Sequence, residues 1–152
     1  MLIEAKTKVA RIIDGKTRRM TETYVKDCEF FSEAEYAVNQ ILSADQEAGV
    51  VEGFEIQSLR ISPIKEIDEA SYNEADASFI ATLRDLFHDD NGNEKQLKYK
   101  VLLWAESLTE ANRKALELSH QGYDMLVEGI KQVDYIYLNS AATTNEEVTD
   151  GE

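Results

Sequence analysis

The sequence predicts an α+β protein: two tandem strand-strand-helix-strand repeats forming one pseudo-symmetric unit of antiparallel or mixed sheet with two covering helices. Three observations carry this. Asp14-Gly15 and Asp89-Asp90-Asn91-Gly92 are turn signals, each set between segments that alternate apolar and polar residues. After each returning segment the apolar period changes from two to the three-to-four spacing of a helix. Finally, Phe31-Ser32-Glu33-Ala34-Glu35 and Leu108-Thr109-Glu110-Ala111-Asn112 align hydrophobic residue, hydroxyl, Glu and Ala in register.

The first strand is expected from Lys8 to Ile13, with Val9 and Ile13 on one side. The return runs from Arg18 to Cys28, where Thr21, Thr23 and Val25 alternate with Glu22, Tyr24 and Lys26, as in a sheet with one wetter face. Ser32 to Glu35 reads as a capping box opening a helix whose inner face is Ala34, Ala37, Val38, Ile41 and Leu42. Gly49 or Gly53 ends it. A third strand then covers Phe54 to Ile61 before Pro63 interrupts.

The second half repeats the order. A strand from Ser78 to His88 places Phe79, Ala81, Leu83 and Phe87 on one face, and its return from Gln96 to Ala105 places Leu97, Tyr99, Val101 and Leu103 together. Ala111, Ala115, Leu116 and Leu118 continue a second helix toward a stop at Gly122. Glu128-Gly129-Ile130 echoes Glu52-Gly53-Phe54 ahead of a last strand around Val133 to Leu138.

The expected organisation is a first repeat over 1–64, an acidic connection over 65–77, a second repeat over 78–140 and a disordered acidic tail over 141–152. The connection carries Glu66, Asp68, Glu69, Glu74 and Asp76 with few large apolar residues. One such module buries little on its own, so pairing two supplies the missing burial, edge to edge or face to face.

Composition limits the function classes. With 152 residues and a formal charge of −14, the surface repels phosphate polymers and anionic membranes, which argues against direct nucleic-acid binding. Lys16, Arg18 and Arg19, like Lys95, Lys98 and Lys100, read as solvated strand faces. One cysteine, Cys28, excludes an internal disulfide and fits reducing cytoplasm, and no apolar run reaches the length of a membrane helix. The seven glycines form no phosphate loop.

Few residues point to chemistry. His88 beside Asp89 and Asp90 could bind a metal or act as a base, but neighbours at a strand end diverge and Asp-Asn-Gly is ordinary turn chemistry. His120 could join only if the fold brought it there. Cys28 lies between Asp27 and Glu29, which oppose a thiolate. No catalytic residue, metal ligand or cofactor is therefore expected. The aromatic set of Tyr24, Trp104, Tyr123, Tyr135 and Tyr137 suits a binding surface, although packing beneath a helix explains the same pattern. The candidate surface is Trp104, Tyr135, Tyr137 and Tyr24 with His88 and His120.

Tyr24-Val25-Lys26-Asp27 leading into Phe31-Ser32-Glu33-Ala34-Glu35, then Phe54-Glu55-Ile56 and Leu59-Arg60-Ile61-Ser62, resembles an uncharacterised domain-of-unknown-function family of Bacteroides-type bacteria and their phages. The likeness spans about residues 8 to 140. It implies a phage- or mobile-element-encoded intracellular accessory protein and brings no catalytic residues. The function expected is non-enzymatic binding of a protein partner or of a second copy. The alternatives are an acidic mimic of nucleic acid that occupies a host protein's basic cleft, and a small-ligand or metal binder using a groove between repeats, lined by His88, Asp90, His120 and Trp104.

Overall fold

The computed structural model describes residues 1–120 and 125–139. The Gly122 helix stop, Tyr123 and the acidic tail lie outside the described residues. The fold is mixed α+β and mostly strand, with two four-stranded sheets and two helices. The chain divides into two compact units, the second formed by Pro63–Asp134 and the first by Met1–Ser62 with the chain that resumes at Tyr135.

In the first unit, β1 (Leu2–Ile13) and β2 (Lys16–Asp27) form an antiparallel hairpin. Asp14 and Gly15 both take positive φ (52° and 76°), as a two-residue turn matched to strand twist requires. Helix α1 (Phe31–Glu47) follows, and Gly49 at φ 80° turns the chain into β3 (Val51–Ile61), which returns antiparallel to β1. The short β8 (Tyr135–Leu138) adds to the other side of β2, in parallel, giving the order β3-β1-β2-β8.

Residues opposite one another in an antiparallel pair share a face. The register pairs Ala5 with Tyr24, Thr7 with Glu22 and Val9 with Met20, so the buried face of β2 is the one carrying Glu22 and Tyr24. Ala5, Val9, Tyr24, Val51 and Leu138 form the core with Val38 and Leu42 of α1, and Ala37 packs at its margin. Ile13 and Ile41, expected inside, are exposed.

The second unit contains β4 (Ile64–Ile67), a 3-10 turn (Glu69–Ser71), the hairpin β5 (Ala77–His88) and β6 (Glu94–Ala105), α2 (Leu108–Ser119) and β7 (Met125–Val133). Its order is β4-β6-β5-β7, with β4 parallel to β6. Phe79, Ala81, Leu103 and Ala105 pack against Ala111 and Ala115 of α2. The 65–77 segment, where the charges hid any period, thus contains a strand anchored by buried Ile64.

Three local expectations are corrected. The first helix starts earlier than Ser32: Phe30 is its N-cap, and the Glu33 carboxylate accepts the amides of Glu29 (2.9 Å) and Phe30 (3.4 Å). In α2 the capping hydroxyl belongs to Ser107, which accepts from Glu110 N at 3.2 Å, in place of Thr109. The last strand, expected around Val133 to Leu138, is the short β8 from Tyr135, a separate strand β7 runs ahead of it to Val133, and the Glu-Gly pairs lie inside β3 and β7. There they interrupt pairing: Ala10 faces Gly53 and Arg11 faces Val51, and Thr82 faces Gly129 and Leu83 faces Val127, so Glu52 and Glu128 are each extra residues.

Candidate binding surface

The buried charges are built into the framework of the first unit. Arg11 on β1 donates through Nε to Glu22 and through Nη2 to Glu22 Oε1 at 2.7 Å, while Tyr24 OH donates to the same oxygen at 2.5 Å. Asp45 of α1 lies 3.6 Å from the guanidinium, tying the helix to the sheet. Burial pulls the Glu22 carboxyl upward, but the hydrogen bonds from Arg11 and Tyr24 and the Arg11 charge outweigh it, leaving Glu22 below the usual carboxylate range. Burial, with the Glu22 bond, pushes the Tyr24 phenol up. A second carboxylate, Glu4, is 3% exposed and accepts from Arg60 Nη2 (2.9 Å), Arg60 Nε (3.1 Å) and Ser62 Oγ (2.6 Å). These satisfied carboxylates hold strands in place.

On the sheet face away from α1 the same strands form an open groove of about 510 Å³. Two rungs define it, Gly53–Ala10–Arg19 and Glu55–Lys8–Thr21, across β3, β1 and β2. Gly53 and Ala10 leave a floor without bulk. At one end Glu52, projected by the bulge, accepts from Thr17 Oγ1 at 2.6 Å, and Gln46 Nε2 fixes the Glu52 carbonyl at 3.0 Å.

In the second unit α2 is shorter than the hairpin beneath it, and the outer strand ends extend past its cover. Phe87 and Leu97, on the α2 face, are 45% and 46% exposed, and Leu86 and Leu126 emerge on the opposite face at 42% and 49%. Phe87 and Leu97, expected inside, are therefore surface residues. The adjoining cations are engaged locally: Lys98 with Glu128 at 2.9 Å, Lys95 with Asp89 at 4.0 Å and Arg84 with Glu128 at 3.9 Å.

The six residues singled out from sequence occupy different settings. Tyr24, Trp104 and Tyr137 are 2%, 3% and 6% exposed. Tyr24 belongs to the α1 core, and Trp104 packs edge-on against Tyr72, ring centroids 4.8 Å apart at 83°. Tyr135 is half-buried on β8, sharing with Tyr137 the face opposite Leu138, and burial, then the nearby Glu4, pushes its phenol up. His88, at the end of β5, and His120, at the α2 C-cap, are exposed. Asp89 Oδ1 accepts from Asn91 N (2.9 Å) and Asn93 N (2.8 Å), shaping the turn after His88. Among the described residues no three His, Cys, Asp or Glu side chains converge as a metal site. Burial, then Glu33, pushes the Cys28 thiol up.

Sequence reasoning missed the groove and the Arg11–Glu22 pair. Glu22 and Tyr24 at one parity were the available signal for the pair. For the groove, the signal was the Glu-Gly pair, legible as a bulge only once its partner strand is known.

The architecture defines an α+β protein of two four-stranded sheets, each with one helix on one face. The chain belongs to a family described as a domain of unknown function (DUF4494), whose model matches residues 2–139. Comparison with curated proteins and with solved structures gave no match. No helix among the described residues is long and apolar enough to cross a membrane.

Proposed function

We propose that this chain is a non-enzymatic binding protein that docks a protein partner on the outer end of its second sheet. One observation carries the reading: Phe87 and Leu97, diagonal neighbours on the face that α2 covers, are 45% and 46% exposed beyond the end of the helix, large apolar side chains side by side that solvent disfavours. The partner is apolar with a cationic rim. The chain carries −14 overall, the local Lys and Arg side chains are already engaged, and Asp90 and Glu94 stay outward at this end.

Duplication supports a binding scaffold. Both sheets derive from hairpin, helix and returning strand in that order, both returning strands bulge at a Glu before Gly, and both helices place Glu at the third position. We read these as two divergent copies of one module. The resemblance to a family of Bacteroides-type bacteria and their phages makes a cytoplasmic accessory protein part of the same proposal.

Native mass spectrometry of the chain recovered from its host's extract tests this, alongside the double variant Phe87→Asp/Leu97→Asp. The expected result is an added heterologous mass that the variant loses while keeping the parent's melting temperature. A bare chain, or a complex indifferent to the substitutions, overturns the reading. Masses in multiples of 17.2 kDa would replace the partner with a second copy.

A further inference from the structure

β8 closes the outer side of β2 only over Thr23–Lys26, and among the described residues no strand pairs there with the stretch from Lys16 to Glu22. The Asp14-Gly15 turn closes on the pair Ile13 and Lys16. In a two-residue hairpin that pair exchanges hydrogen bonds, as does every second pair after it. The N–H and C=O of Lys16, Arg18 and Met20 therefore point to β1, whereas those of Thr17, Arg19 and Thr21 point outward. Thr23 and Val25, at the same parity, are the residues opposite Tyr135 and Tyr137 of β8. The protein itself adds a strand to this edge and leaves the ladder open beside it.

The other long edges are interrupted by bulges, β3 at Glu52 and Gln57 and β7 at Glu128, which spoil a template for a further strand. β2 pairs with β1 from end to end without a break. The matching stretch of β6, Glu94 to Tyr99, is also unbroken and bare, but its Lys95 and Lys98 already meet Asp89 and Glu128. On β2, Lys16, Arg18 and Arg19 are exposed and engaged in no ion pair among the described residues. Lys16 and Arg18 stand on the α1 side of the sheet and Arg19 on the other. The nearby carboxylates are held elsewhere, Glu22 and Asp45 by Arg11 and Glu52 by Thr17 across the open face, and Asp14 lies in the turn beyond the ladder.

Cations on an edge repel a second copy of the same edge and any basic strand, so they select which strand can add. An added strand sends its side chains alternately to the two faces, and both faces here carry positive charge, so successive acidic residues are matched. We infer that the free edge of β2 binds an extended acidic peptide segment of a partner protein by strand addition beside β8, its carboxylates toward Lys16 and Arg18 on one face and Arg19 on the other. This site is separate from the Phe87 and Leu97 surface and does not rest on it.

The probe is the blocked peptide acetyl-Val-Glu-Glu-Thr-Glu-Glu-Val-amide, titrated into the full chain with amide shifts and amide hydrogen exchange followed by NMR. One control replaces its glutamates with lysines. The other keeps the charge but is N-methylated at the glutamates, so it cannot continue the ladder. Saturable shifts confined to residues 16–23 and the adjoining β8 are expected, with each control about tenfold weaker or worse. With peptide bound, the amides of Thr17, Arg19 and Thr21 should exchange about tenfold more slowly, while those of Arg18 and Met20, already bonded to β1, stay unchanged. Arg18→Glu/Arg19→Glu should weaken binding about tenfold at an unchanged melting temperature, both side chains being exposed, and Phe87→Asp/Leu97→Asp should bind as the parent does. No saturable shift, equal binding of either control, or undiminished binding by the charge-reversed variant overturns the inference. Slow exchange of the three outward amides without peptide also overturns it, giving the edge to a second copy if protection grows with protein concentration and to another segment of this chain if it does not.

Discussion

The Tyr24 hydroxyl donates to Glu22 Oε1 at 2.5 Å from two residues along the same strand, on the face that α1 covers. A strand repeats its side-chain direction every second residue, so the phenol and carboxylate lie side by side by geometry alone. Arg11 reaches the same carboxylate from the opposing strand. The result is a charged group buried with its partners already in position, which costs less than burying it alone.

Glu22→Gln should therefore destabilise the first unit by about 2–3 kcal/mol, the range for losing a charge-assisted bond and stranding Arg11. Urea unfolding followed by circular dichroism measures it. The folded Glu22 pKa is depressed, so its contribution is fully present above the unfolded carboxylate value of about 4.3 and is lost as pH falls through the folded value. The variant should narrow its deficit to the parent only in that acidic window. A deficit constant from pH 7 to pH 3 contradicts the assignment.

Thr7 faces Glu22 across the hairpin, and its Oγ1 is buried without a hydrogen-bond partner among the described residues. Thr7→Val keeps the shape and removes the unsatisfied hydroxyl. It should stabilise by about 1 kcal/mol, seen as a higher urea midpoint at unchanged slope. A loss of stability would mean the hydroxyl is satisfied.

Trp104 is nearly fully buried, its amide donates to Ser71 Oγ at 3.1 Å and its carbonyl accepts Lys114 Nζ at 2.8 Å. Trp104→Ala should cost about 3–5 kcal/mol. A double-mutant cycle with Tyr72→Ala should return about 0.5–1.5 kcal/mol of coupling for the edge-on ring pair. Additive losses would remove that pair from the account.

The raised Cys28 thiol should alkylate more slowly than a free model thiol at pH 7, with its rate climbing at higher pH than the model's. Iodoacetamide labelling across pH measures this. Faster reaction at neutral pH would reveal an activating partner and reopen a nucleophilic role. Glu33→Gln should shift the profile down, because that carboxylate is the main charge opposing the thiolate.

Much of the fold was legible because local chemistry and tertiary position agreed. Asp14-Gly15 and Asn91-Gly92 mark the two hairpin turns, and Ala34, Val38 and Leu42 face the core as their spacing requires. Four-residue β4 escaped detection, and β8 was expected only as part of a longer strand from Val133, because such short strands have little period of their own. Each exists by pairing in parallel with the second strand of a hairpin remote in sequence. The helix caps were displaced because several hydroxyls and carboxylates compete within one turn, and chain entry angle decides among them. The candidate surface was least legible. Aromatic identity indicated Tyr24, Trp104 and Tyr137, yet the same bulk that suits binding also suits burial.

The placement of β8 also sets a schedule for synthesis. The second unit is one uninterrupted stretch, Pro63–Asp134, whereas the first sheet receives its last strand only after that stretch has been made. On the ribosome, the outer side of β2 is therefore bare while the downstream sheet assembles. For that interval, the nascent chain offers any chaperone or extended neighbour an edge that the finished protein has closed.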